Sequence, residues 1–217
     1  AMEDASKKVL LISSAIPGEG KTSIAVNLSI SLAQKGRKVL LIDCDLRNPS
    51  VAKALSTKKN TLEDGRSLAD YMKGTVTVRD AIHPTAIDGL HVIPGGSGEK
   101  AEHSAMLSQN RMALLIQASR NLYDFVILDT PPCSMLADAS ELSELAEAGL
   151  MVIRQDYAAR DQILDGVQRL NDGKLQLIGC AFNQVRAGVA GGYGYGYGYG
   201  YGYGYGYGSE KEKKSKK

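Results

Sequence analysis

The chain has 217 residues, 43% of them apolar and 23% charged. That is enough to bury the core of one α/β domain and too apolar for disorder along the whole length. The net charge of +2 sits unevenly: Ser209–Lys217 carry +3 and the remainder −1, so a nucleic-acid-binding face has no electrostatic support. No apolar run approaches the roughly 20 residues of a bilayer span, and the N-terminus lacks the order of a secretion signal, which reads as a soluble chain. Cys44, Cys133 and Cys180, like His83, His91 and His103, are scattered without ligand spacing, so neither a disulfide framework nor a His/Cys metal site is expected.

Short β-branched runs alternate with helical patterns. Val9–Ile12, Val39–Ile42, Leu90–Ile93, Phe125–Leu128, Leu150–Ile153 and Leu177–Phe182 are mostly continuous apolar runs, predicting six strands covered on both faces. Between the first two, Ile24, Leu28 and Leu32 recur every four residues and Gly36 follows as a stop, predicting a helix laid on the sheet. Helical stretches are expected near Ser104–Asn121, Ala137–Ala146 and Arg160–Asn171. The alternation predicts an α/β fold on a parallel sheet, whose ligand crevice lies beyond the carboxyl ends of the strands.

Three of those ends carry chemistry. After the first strand, Ala15-Ile16-Pro17-Gly18-Glu19-Gly20-Lys21-Thr22 fits the phosphate-loop pattern G-x-x-x-x-G-K-S/T, with Ala15 in place of the first Gly. Gly18 and Gly20 let the backbone around Glu19 curl so that successive N–H groups and the following helix N-terminus face a triphosphate. Lys21 would bridge the β- and γ-phosphates, Thr22 would place its hydroxyl on Mg²⁺, and Ser23 is next in reach of the α-phosphate. A P-loop NTPase-like three-layer sandwich is the expected architecture. The second strand ends in Asp43-Cys44-Asp45, two acids expected on the same side of an extended strand; acids there also serve to cap helices. The fourth ends in Asp129, the usual second anchor of nucleotide-bound Mg²⁺. ATP and Mg²⁺ are the expected cofactors, with Thr22, Asp45 and Asp129 at the metal and Asp43 the candidate base, although Asp43 and Asp45 could exchange roles. Arg47 either adds charge near the site or anchors its turn, and Asn183 and Arg186 either meet the base or belong to a plain loop.

Near Ala187 the character changes to a strict Tyr-Gly repeat holding eight of the eleven tyrosines. With little else apolar to bury, residues 188–217 are expected to be a disordered tail, and residues 1–187 the folded domain. Each Gly frees its neighbours to let any phenol enter a narrow site.

The set Ala15–Thr22, Ile42–Arg47 and Ile127–Pro132, followed by a tyrosine cluster, resembles the bacterial tyrosine kinases of capsular and exopolysaccharide synthesis, over roughly residues 8–187 plus the tail. The resemblance implies a protein-tyrosine kinase with Walker A, A′ and B motifs that phosphorylates its own cluster, here Tyr193, Tyr195, Tyr197, Tyr199, Tyr201, Tyr203, Tyr205 and Tyr207, between neighbours in an assembly. It further implies a cytoplasmic enzyme recruited to the membrane by a membrane-embedded activator of the polysaccharide chain-length type, and ring-shaped self-association. The E-x-x-R-x-x-R assembly helix of the family is absent from this sequence, and its N-P-x-E segment reads Lys100-Ala101-Glu102-His103, so neither role is carried over. Partition and division-site ATPases, nucleotide-switched binding modules, are the alternative. They carry a signature lysine where this chain has Ile16, and they lack a tyrosine repeat.

Overall fold

The computed structural model describes residues 8–55, 66–96, 110–135, 142–171 and 175–186. Seven strands form one sheet in the order β3-β4-β2-β5-β1-β6-β7. They are β1 (Val9–Ser14), β2 (Val39–Asp43), β3 (His83–Pro84), β4 (Leu90–Ile93), β5 (Phe125–Asp129), β6 (Ala148–Arg154) and β7 (Gln176–Asn183). All neighbours are parallel except β3 and β4. β1 lies between β5 and β6, with every residue buried.

Side chains on successive strand residues point to opposite faces, and each face has its own core. Val9 and Leu11 of β1 join Leu68, Tyr71 and Met72 of α3 (Leu68–Lys73), Met112, Leu115 and Ile116 of α5 (Asn110–Leu122) and Leu170 of α6 (Arg160–Asn171). On the other face Leu10 and Ile12 meet Ala25, Val26 and Ala33 of α1 (Lys21–Gln34) and Val51 of α2 (Val51–Leu55). The result is helix, sheet, helix: the three-layer sandwich expected.

Several details correct the sequence expectations. Among the described residues there are seven strands, not six, and the sheet is not wholly parallel. The extra strand, His83–Pro84, pairs antiparallel at one edge; two residues, one of them proline, leave no apolar run to read. β7 is the opposite edge and is half exposed, with Phe182 at 61%, rather than covered on both faces. In α1 the buried residues are Ala25, Val26, Ser29 and Ala33, mostly small enough for close approach, while Ile24, Leu28 and Leu32 are half-buried. The helix near Ser104–Asn121 is Asn110–Leu122, and 104–109 and 137–141 lie outside the described residues, as do His103, the Lys100–His103 segment and the whole tail 188–217.

Between β2 and β4 the structure adds α3 and α4 (Val78–Ala81), each opened by a reciprocal capping box, Ser67 with Asp70 and Thr77 with Asp80. Among the described residues no helix is long and apolar enough to cross a membrane.

Candidate active site

The carboxyl ends of β1, β2 and β5 come together because these strands are neighbours, with Asp43 and Asp129 in register across β2 and β5. β1 feeds directly into the phosphate loop, and α1 starts at Lys21 with Gly20 as its N-cap in the left-handed region, φ 92°. Gly18 is also left-handed, φ 85°, so the curl rests on the two residues without a Cβ. Ala15, standing where the pattern has Gly, has no positive φ and is fully buried against Gly166 of α6, whose Cβ position would lie 3.5 Å from the Ala15 Cβ. A glycine on a facing helix thus makes room for the extra methyl.

The loop is packed against neighbouring strand ends. Glu19 is fully buried; its Oε2 accepts the Ile16 N–H at 2.9 Å and its Oε1 the Arg154 N–H at 3.3 Å. Arg154 Nη1 donates to the Gly18 carbonyl at 3.3 Å, and its guanidinium lies 4.4 Å over the Tyr157 ring. Asn183 Nδ2 donates to the Glu19 carbonyl at 2.9 Å. A Cβ on Gly20 would sit 2.2 Å from that Nδ2. We therefore expect Gly20→Ala to cost about 1–3 kcal/mol of stability through strain alone and to weaken nucleotide binding, read by thermal melts and nucleotide titration; unchanged melting would count against this packing.

Lys21 Nζ donates to Asp45 Oδ2 at 2.9 Å, with both side chains nearly buried. β2 ends at Asp43, so Asp45 stands in the turn beyond the strand rather than two places along it. Asp43 is fully buried and accepts three backbone N–H groups, from Asp45 at 3.2 Å, Ser50 at 2.9 Å and Val51 at 3.0 Å. It caps the start of α2 as well as standing at the site. Burial pushes its carboxyl up to about 7, the Asp129 charge adding to the rise and the N–H groups opposing it.

Asp129 is fully buried, and neither of its oxygens has a hydrogen-bond partner among the described residues. Burial raises its pKa to about 6 against the pull of the Lys21 ammonium and the nearby Thr22 hydroxyl. The Thr22 hydroxyl itself lies 3.2 Å from that of Ser50. A buried carboxylate without a partner, beside a hydroxyl, suits a cation. Mg²⁺ keeps several waters and takes one or two protein carboxylates, so the fact that no cluster of three or more ligating side chains exists among the described residues does not conflict with it.

Above these groups opens a cleft of about 360 Å³ lined by Gly18, Lys21, Asp45, Arg47 and Pro131, among others. Of the expected phosphate contacts, Ser23 is exposed on α1, one residue beyond Thr22. Asn183 and Arg154 act on the loop itself. Arg154, Tyr157 and Ser50 escaped the sequence reading; Arg154 ends β6 and Tyr157 follows it, where the crevice rule would have directed attention, whereas nothing local marks Ser50.

Comparison with known proteins agrees with this geometry. A family model described as an AAA domain matches residues 7–177. The chain is 31% identical over 183 residues to tyrosine-protein kinase CpsD of Streptococcus agalactiae, covering 84% of this chain and 77% of that one. It is 31% identical to tyrosine-protein kinase wzc of Salmonella typhimurium over 85% of this chain, and spans only 25% of that longer protein. The kinase domain of Escherichia coli tyrosine kinase ETK superposes with a TM-score of 0.80 at 29% identity, covering 91% of this chain and 75% of that one. The Pyrococcus furiosus cell division ATPase MinD superposes less well, with a TM-score of 0.68 at 27% identity over 80% of this chain and 70% of that one. A further structure with this fold, the septum site-determining protein MinD of Pyrococcus horikoshii, 24% identical, is complexed with Mg-ADP. Phosphate loop, paired acids and strand-end aspartate on this sheet, with identity and superposition both favouring the kinases over the division ATPases, place the chain in the family of bacterial tyrosine-protein kinases.

Proposed function

We propose that the chain is an ATP-dependent protein kinase that phosphorylates the tyrosines of its own C-terminal cluster, Tyr193 to Tyr207, in the control of capsular or exopolysaccharide synthesis or export. The observation that carries the reading is the cleft in which Lys21 and Asp45 meet over the phosphate loop, in a chain whose C-terminal segment carries eight glycine-spaced phenols.

A phenol with a pKa of about 10 is protonated at neutral pH and a poor nucleophile. Lys21 leaves Asp45 for the β- and γ-phosphates, neutralising charge where it develops. Thr22, Asp45 and Asp129 are the residues that would hold Mg²⁺, which when bound supplies further neutralisation of the phosphates. Asp43, which has no ion pair among the described residues while Asp45 has Lys21, is the acceptor for the phenolic proton. The loop amides, from Gly18 through Ser23 at the start of α1, hold the polyphosphate in line. A membrane-embedded activator of the polysaccharide chain-length type, and self-association, complete the proposal by family likeness.

Incubation with ATP and Mg²⁺ followed by intact-mass measurement and peptide mapping tests it. Phosphate increments within residues 193–207 are expected. Production of ADP with an unmodified tail would instead make the chain a nucleotide-switched module of the division-ATPase kind.

A further inference from the structure

Two consecutive carbonyls of the phosphate loop are engaged by side chains from outside it. Arg154, the last residue of β6, donates to the Gly18 carbonyl, and Asn183, the last of β7, donates to the Glu19 carbonyl. The peptide units are trans and planar, so a carbonyl held on one side puts the following N–H on the other. Arg154 thereby sets the Glu19 N–H, and Asn183 sets the Gly20 N–H. These are the central amides of a Gly-Glu-Gly turn whose glycines give the backbone unusual freedom to rotate. A loop that binds phosphate needs both amides facing inward at once.

Both donors make further contacts that hold them in place. The Arg154 guanidinium is stacked on Tyr157, and the backbone N–H of Arg154 holds Glu19 Oε1. The Tyr157 hydroxyl closes over Gly18, 2.5 Å from where a Cβ would stand. The Asn183 amide fills the space beside Gly20, and its Oδ1 accepts the Gln184 N–H at 2.9 Å.

We propose that Arg154 and Asn183 form a peptide-plane lock that pre-orients the Glu19 and Gly20 amides toward the nucleotide phosphates, making both of them positioning residues for nucleotide binding. The proposal rests on the reading of the loop as a nucleotide site. It gives Asn183 a task on the loop rather than on the base.

The test is ADP titration of the full chain and of Arg154→Ala, Arg154→Lys, Asn183→Ala and the Arg154→Ala/Asn183→Ala double variant, with thermal melts without nucleotide. Each alanine variant is expected to bind ADP about tenfold more weakly, the scale of one hydrogen bond in a rigid site. Arg154→Lys, which keeps a donor, should stay within about threefold of the parent chain. Because one released peptide already unlocks the turn, the double variant should lose much less than the product of the two single losses. In tail phosphorylation the KM for ATP should rise by a larger factor than kcat falls. Alanine variants within twofold of the parent would overturn the lock and leave the nucleotide reading standing. Losses that multiply would also overturn it, in favour of two independent contacts. A parent chain that binds no ADP would remove both. Should Arg154→Ala no longer melt cooperatively, Arg154→Lys and Asn183→Ala decide the matter.

Discussion

Lys21→Met will reduce phosphorylation of the tail by at least two to three orders of magnitude, the usual effect of removing one preorganised donor from developing charge. The same change should also weaken the nucleotide-free fold, for a reason unrelated to catalysis. Lys21 is the cation facing Asp45 at 2.9 Å, in a place where both side chains are nearly buried, and its charge also holds down the Asp129 carboxyl. Removing one partner of a buried pair strands the other, at a cost of about 3–5 kcal/mol in the worst case. Asp45 keeps the Asn48 N–H and lines the open cleft, so about 1–3 kcal/mol is the expectation here. Lys21→Met/Asp45→Asn should therefore recover much of the lost stability in urea melts while remaining inactive. Lys21→Met activity within tenfold of the parent would dismiss the role given to the lysine. A double variant no more stable than the single would dismiss the pairing.

The phosphate loop was legible because its chemistry is contiguous: the pattern Gly18–Thr22 lies between an apolar run and a helix, and Asp43 and Asp129 stand at strand ends where parallel sheets gather their ligands. Six of the seven strands were legible for the same reason, being mostly continuous apolar runs. His83–Pro84 was not, since a strand of two residues owes its existence to its neighbour and not to its own pattern. The caps of α3 and α4 did leave a signal, Ser67 and Thr77 each three residues before an aspartate, the reciprocal box that opens a helix. What no local reading could supply is the reach across the sheet. Glu19 is an arbitrary letter in the loop pattern, yet the fold buries it and fastens it from β6 and β7, residues 135 and 164 positions further along the chain. Such contacts follow from which strands end beside β1, and only the strand order reveals them.

Asp129→Asn should make the metal-free chain more stable above neutral pH while abolishing its kinase activity. The sign follows from the direction of the shifts. Burial raises the carboxyls of Asp129 and Asp43 from 3.8 to about 6 and about 7. Between about pH 4 and pH 7 the folded state therefore holds more protons than the unfolded one, so stability falls as pH rises through that window and levels off above it. Two units at Asp129 correspond to about 3 kcal/mol, an upper figure because the site can admit water and because the substituted amide brings polar atoms of its own. A gain of about 1–2 kcal/mol at pH 8, and little or none at pH 4, is the expected pattern in urea melts with a chelator present. The slope of stability against pH should flatten correspondingly. A variant less stable than its parent at pH 8 would show that Asp129 has a structural partner and would remove it as a cation anchor. If the pattern holds, the protein keeps a buried charge with no hydrogen-bond partner among the described residues at the expense of its own stability, as expected of a group kept for what it binds rather than for the fold.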